Sequence, residues 1–143
     1  MRIFIENEAG SDRKNRYDEQ TLVWRSASPL RAPYPYPYGF VLDTRGDSGD
    51  AVDCFLISLE PIRSGSIVVA EPVGLLEQIE DGEIDHKVLA ALPGTAAVID
   101  ERLHADLRAF IEEVFRAFPG VRLEVGRLLD AAAARAFLER RRA

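Results

Sequence analysis

The chain has 143 residues, 47% of them hydrophobic and 29% charged, with a formal net charge of −6. That balance suits one folded domain, residues 1–143, able to bury roughly 68–70% of its unfolded surface without a covalent staple. The negative field disfavours duplex nucleic acid, and no apolar run approaches the ~18 residues of a membrane span.

A single cysteine, Cys54, excludes an internal disulfide and suits a reducing, cytoplasmic setting. The opening residues Met1 to Glu8 turn acidic at once, so a secretory leader is not expected. Arg2–Glu6 and Thr21–Arg25 read as short strands, with the charged stretch Ser11–Gln20 between them. Ser28–Tyr38 holds four prolines and three tyrosines; proline fixes φ and removes donors, so this segment should be extended and unpaired. Gly39–Leu42 resumes a strand, and Asp43–Asp50 is a loop rich in Asp, Gly and Ser. Val52–Leu59 is a nearly continuous apolar run, which predicts a buried strand. Pro61–Gly65 turns the chain. Ser66–Leu76 is a second apolar run, broken by Pro72 and Gly74, where a bend or bulge is expected. Ile79–Lys87 is an acidic loop or hairpin, and Val88–Leu92 a further strand.

The second half reads as helical. Asp100 is a fair N-cap, followed by Leu103, Leu107, Phe110, Ile111, Val114 and Phe118 on one helical face. Pro119-Gly120 ends that helix. Val121–Val125 alternates like a strand, and Asp130 caps a second helix through Ala131–Arg140. Strands followed by helices predict an α+β fold, the sheet either closed as a small barrel or covered by helices.

The acids are grouped. Asp47, Asp50 and Asp53 lie within seven residues, and Glu80, Asp81, Glu83 and Asp85 within six. Asp53 interrupts an apolar run, and a carboxylate there is costly unless paired or metal-bound. Hard cations such as Mg²⁺ take carboxylate oxygens. Asp50, Asp53 and Asp85 therefore read as a site, whereas Asp81 and Glu83 read as solvated surface. The Pro–Tyr segment fits either a ligand for aromatic grooves or a rigid cleft wall. His86 and His104 lack metal-ligand spacing, and Cys54 reads as a core thiol.

Four motifs in register carry a resemblance: Pro35-Tyr36-Pro37-Tyr38-Gly39-Phe40, Gly49-Asp50-Ala51-Val52-Asp53, Pro72-Val73-Gly74-Leu75-Leu76 and Asp85-His86-Lys87. Together they resemble the soluble family I inorganic pyrophosphatases, which show P-x-N-Y-G-F/Y, D-G-D-P-x-D, P-V/I-G-V-L and D-x-K elements in that order. The resemblance implies a five-stranded, OB-like β-barrel with flanking C-terminal helices. It implies Mg²⁺-dependent hydrolysis of pyrophosphate to two orthophosphates, and a hexamer. Asp50 matches the general base, and Tyr38 and Lys87 match phosphate-side residues. Asp53 and Asp85 match metal carboxylates, and Glu6 one that reaches metals through water; Glu80 replaces an Asp metal ligand, and Asp18 stands where the family has a glutamate. Arg16, Arg25 and Arg116 match phosphate-binding cations, Arg25 after a one-residue shift.

Departures accompany the match. Ser48 stands where the family has the first motif Asp, leaving Asp47 one residue early as the alternative metal ligand. Ala51 replaces the motif proline, Pro37 the asparagine, and Phe115 a tyrosine. The alternative to an active hydrolase is an inactive relative of the same fold that binds a phosphate compound or a protein partner. Single-stranded nucleic-acid binding rests on fold analogy alone and is opposed by the acids. For the hexamer, the residue-level basis is Phe110, Phe115, Phe118 and Phe137, read as more apolar surface than one domain buries.

Overall fold

The computed structural model describes residues 1–143. Ten strands and two helices follow one another: β1 Arg2–Asn7, β2 Arg13–Tyr17, β3 Trp24–Pro29, β4 Tyr38–Val41, β5 Asp53–Leu56, β6 Ile67–Val69, β7 Glu71–Glu80, β8 Glu83–Ile84, β9 Lys87–Ala91, α1 Glu101–Phe115, β10 Leu123–Asp130 and α2 Ala131–Glu139. The fold is α+β, as the pattern of strands then helices predicts. The main sheet has eight strands in the order β10-β7-β9-β5-β4-β1-β6, with β8 beside β7. This path has two free ends, β10 and β6, and no closed five-stranded barrel is detected.

Period-two alternation divides the sheet's residues between two cores. Cys54, Leu56, Leu75, Val88 and Ala90 join the cluster that includes Ala134 and Phe137 of α2. Their neighbours Phe55, Leu76 and Leu89 join the cluster that includes Leu103, Leu107 and Ile111 of α1. Both helices start on the expected caps: Asp100 accepts from the Leu103 amide and Asp130 from the Ala133 amide, each at 2.9 Å. Register in β7 shifts between Pro72 and Gly74, where the bulge is expected.

Gly39 marks the tightest approach in the sheet. A Cβ there would lie 1.8 Å from the Phe4 carbonyl oxygen on β1, so only glycine lets β4 pair so closely. Tyr34, in the proline-rich segment, is buried and stacks on Tyr38 at 5.2 Å between ring centroids. The segment is thus a wall of the fold. Phe137 is buried, Phe110 and Phe115 are partly buried, and only Phe118 of the four phenylalanines is exposed. That leaves the aromatic argument for an assembly resting on one side chain. Sequence reading misses β2, which lies inside the charged stretch and pairs only with β3. No helix is long and apolar enough to cross a membrane.

Candidate active site

Strand directions bring the charged residues to one end of the sheet. β5 and β9 run parallel and adjacent, so their first residues, Asp53 and Lys87, stand side by side. β7 runs antiparallel to β9, which brings its last residues, Gln78 and Glu80, to the same end. Tyr38 opens β4 opposite Phe55. These residues, with Asp85, line a cavity of about 130 Å³ roofed by Phe110, Ile111, Val114 and Phe115. Pockets for drug-sized organic ligands run to ~300–1,000 Å³, so this one suits a small ligand.

Lys87 is the centre of the wall. Its side chain is 7% exposed, and its Nζ donates to Asp53 Oδ2 at 2.6 Å and to Asp85 Oδ2 at 2.9 Å. Burial pushes the ammonium pKa down, but the two carboxylates outweigh burial and hold it well above the ordinary lysine value. Asp85 shifts the other way. Burial and the neighbouring Glu80 carboxyl push it up to about 6 despite Lys87. The pair is therefore asymmetric: Lys87 stays charged, while burial makes the charged form of Asp85 costly even beside that cation. Burial likewise pushes Glu6 up to about 7, with Asp53 adding to the rise and a hydrogen bond from the Tyr17 amide opposing it. Burial and Asp53 raise the Tyr38 phenol far above its ordinary value, so it remains a hydrogen-bond donor.

The donor set fits a hard, oxygen-seeking divalent cation. Asp53, Asp85 and Glu80 line one small cavity around the buried ammonium of Lys87. Gln78 adds a buried Oε1 with no hydrogen-bond partner, while its Nε2 donates to Glu80 at 2.9 Å. No group of three carboxylate, histidine or cysteine side chains converges tightly enough to enclose an ion unaided. Water would complete any shell.

The remaining sequence-predicted residues are dispersed. Asp50 is exposed on the 43–51 loop and is not part of the cavity wall. Asp47 accepts from Arg141 Nη2 at 2.9 Å. Asp18 caps its own turn, accepting from the Gln20 and Thr21 amides at 2.9 and 2.8 Å, and lies 3.7 Å from Arg25. Arg16 is exposed on β2, with its charge felt at Tyr34. Arg116 pairs with Glu113 at 3.1 Å on the surface of α1.

Three residues escape sequence reading. Lys14 lines the cavity as a second cation, and Gln78 offers its orphan oxygen. Glu19 accepts from the Ala51 amide at 2.9 Å, tying the β2–β3 hairpin to the loop. Lys14 and Arg16 share the alternation of β2, which is the one signal that could have found Lys14. His86 accepts the Gln78 amide at Nδ1, 3.0 Å away, and burial holds its pKa below the ordinary value.

The profile of the family described as inorganic pyrophosphatase matches residues 3–119. The chain belongs to the inorganic pyrophosphatase family.

Among relatives in this family, the inorganic pyrophosphatase of Halalkalibacterium halodurans is 30% identical, over 94% of this chain and 88% of that protein. That of a Nostoc species is 38% identical over 63% of this chain and 54% of its own length. That of Aquifex pyrophilus is 44% identical over 62% and 51%. In the Nostoc and Aquifex matches the chain thus spans about half the length of the relative. The fold is shared with the solved pyrophosphatase of Helicobacter pylori (TM-score 0.88, 24% identity, 98% of this chain and 89% of that one). It is also shared with that of Thermus thermophilus (TM-score 0.86, 24% identity, 97% and 87%).

Proposed function

We propose that residues 1–143 act as a unit that hydrolyses inorganic pyrophosphate with the help of Mg²⁺. The observation that carries this reading is the buried Lys87 held between Asp53 and Asp85 in a small cavity, in a chain of the pyrophosphatase family. Pyrophosphate is a compact polyanion. Lys87 and Lys14 supply fixed positive charge to its oxygens, and the Tyr38 phenol donates a hydrogen bond to one of them. Charge placed in advance acts on the developing negative charge without reorganising.

Asp53, Asp85 and Glu80 would hold the divalent ion, with Gln78 Oε1 and Glu6 at its border. When bound, such an ion neutralises phosphate charge and acidifies bound water. Asp50 is the proton acceptor for the attacking water, on the loop beside the wall. Ser48, a neutral oxygen in place of the family's carboxylate, weakens the ion's hold. By family resemblance the protein is a cytoplasmic hexamer; light scattering that returns a 15.9 kDa species would exclude the assembly.

Phosphate release from pyrophosphate with added Mg²⁺ tests the activity. Asp50→Asn keeps the shape of the side chain and removes the proton acceptor, so the rate should fall by ~10²–10⁴-fold. A rate for Asp50→Asn equal to the parent's would remove Asp50 from the reaction. No phosphate release by the parent would leave a binding protein on a pyrophosphatase fold.

A further inference from the structure

The loop that carries Asp50 is held from outside itself. Within residues 43–51, its own backbone contacts are Gly46 N to Asp50 O at 2.7 Å and Gly49 N to Gly46 O at 3.0 Å. Glu19 accepts from the Ala51 amide at one end, and the segment that follows α2 supplies further anchors. Arg45 N donates to Arg141 O at 2.8 Å, Ala143 N donates to Asp43 O at 3.0 Å, and Thr44 bridges Arg142. The side chain of Arg141 then reaches Asp47 at 2.9 Å.

Arg141 is no ordinary surface partner. Its side chain is only 13% exposed, and its guanidinium carbon sits 3.7 Å from the centroid of the Phe137 ring. Phe137 itself belongs to the core and lines the small recess shared by Asp47, Ser48 and Asp85. A flat cation stacked on a fixed ring has little rotational freedom left, so the position of Asp47 is set by the core. An exposed ion pair contributes little because both partners must be ordered first; here one partner is ordered already.

We propose that Arg141 is a positioning residue: it clamps Asp47, which fixes the loop and so the place from which Asp50 acts, and it keeps the Asp47 carboxylate engaged away from any bound ion. The catalytic half of this rests on the hydrolase reading above; the clamp does not. It also answers the question that Ser48 raises, because Asp47 is occupied by a resident cation and does not take over the lost ligand.

The test combines amide hydrogen exchange on metal-free protein with steady-state kinetics for Arg141→Gln, Arg141→Lys, Asp47→Asn and the Arg141→Gln/Asp47→Asn double variant. Exchange of the loop amides should rise ~10-fold or more in Arg141→Gln and in Asp47→Asn, with β9 unchanged. The same two variants should lose kcat by ~10-fold with KM nearly constant, since misplacement of a reacting group costs rate more than binding. The double variant should be no worse than either single one, because both remove the same contact. Arg141→Lys should recover only part, as lysine keeps the charge and loses the stacked plane. Unchanged loop exchange in both single variants, or additive losses, would overturn the clamp. Raised exchange with an unchanged kcat would overturn the positioning role. If the parent releases no phosphate, the hydrolase reading fails, and the exchange pattern still decides whether the clamp exists.

Discussion

Strands β4, β5, β7 and β9 hold Tyr38, Asp53, Glu80 and Lys87 by sheet hydrogen bonds, while the 43–51 loop is held by Arg141 from beyond α2 and Glu19 from the β2–β3 hairpin. The wall is half-buried or buried, and the loop is largely exposed. Departures from the family's motifs fall in both regions: Ser48 and Ala51 in the loop, Glu80 and Phe115 around the cavity, and Pro37 beside Tyr38. What separates the two regions is anchoring. A side chain on a central strand is held by its ladder neighbours, whereas a loop keeps its place through groups brought to it from elsewhere.

The largest effect should come from the wall. Lys87→Met removes the cation and leaves Asp53 and Asp85 together, so stability should fall by about 3 kcal/mol. The carboxylates retain 28% and 32% side-chain exposure, which keeps the loss at the low end of that range. Mg²⁺ should raise the Tm of this variant more than that of the parent, since the ion supplies the missing charge. A denaturation midpoint within error of the parent would show that the wall does not depend on its buried cation.

Next comes the pH response of the metal-free protein. Glu6 moves from an ordinary 4.5 to about 7 and Asp85 from 3.8 to about 6. Between about pH 4 and 7 the folded protein keeps protons that the unfolded chain has released, so stability should fall as pH rises through that window. Glu19, raised by burial, adds to the fall; His86, held by burial below its ordinary 6.5, opposes it within the window, and Asp18 and Glu77, held low by hydrogen bonds, oppose it only at lower pH. Thermal melts in chelator should therefore decline from pH 5 to 7, and Glu6→Gln should flatten the slope. A Tm that climbs steadily over that range would contradict the burial of the Glu6 and Asp85 carboxyls.

The smallest effect is expected in the loop. Ser48→Asp restores a carboxylate and should lower the Mg²⁺ concentration for half-maximal activity by roughly threefold. If instead Asp47→Ala raises that concentration and Ser48→Asp leaves it alone, Asp47 is the ion's ligand and the clamp on it releases during turnover.

The helix caps, the β7 bulge and the buried strands β5 and β9 were all legible, because each is encoded by neighbouring residues: a side-chain acceptor before an apolar stripe, a proline and a glycine in a run, unbroken apolar stretches. β2 was not legible, since a hairpin packed on one small area needs no apolar alternation to form. The wall's membership came through motif resemblance, and its geometry follows only from the parallel pairing of β5 with β9. The partner of Asp47 was beyond reach: Arg141 lies 94 residues away, and nothing local marks it. Whether the sheet closes into a barrel was likewise beyond local signals, because closure depends on which distant edges pair.

Cys54 has a practical consequence. It lies beside Asp53 on β5 with no exposed surface, and burial pushes its thiol well above the ordinary value. Maleimides and disulfide reagents need an accessible thiolate, so the folded protein should be silent to them. A cysteine placed on the 43–51 loop would then be the sole reactive thiol, at full wild-type background. Spin labels or fluorophores attached there would report directly whether the loop moves during turnover, with no need to engineer the native cysteine away.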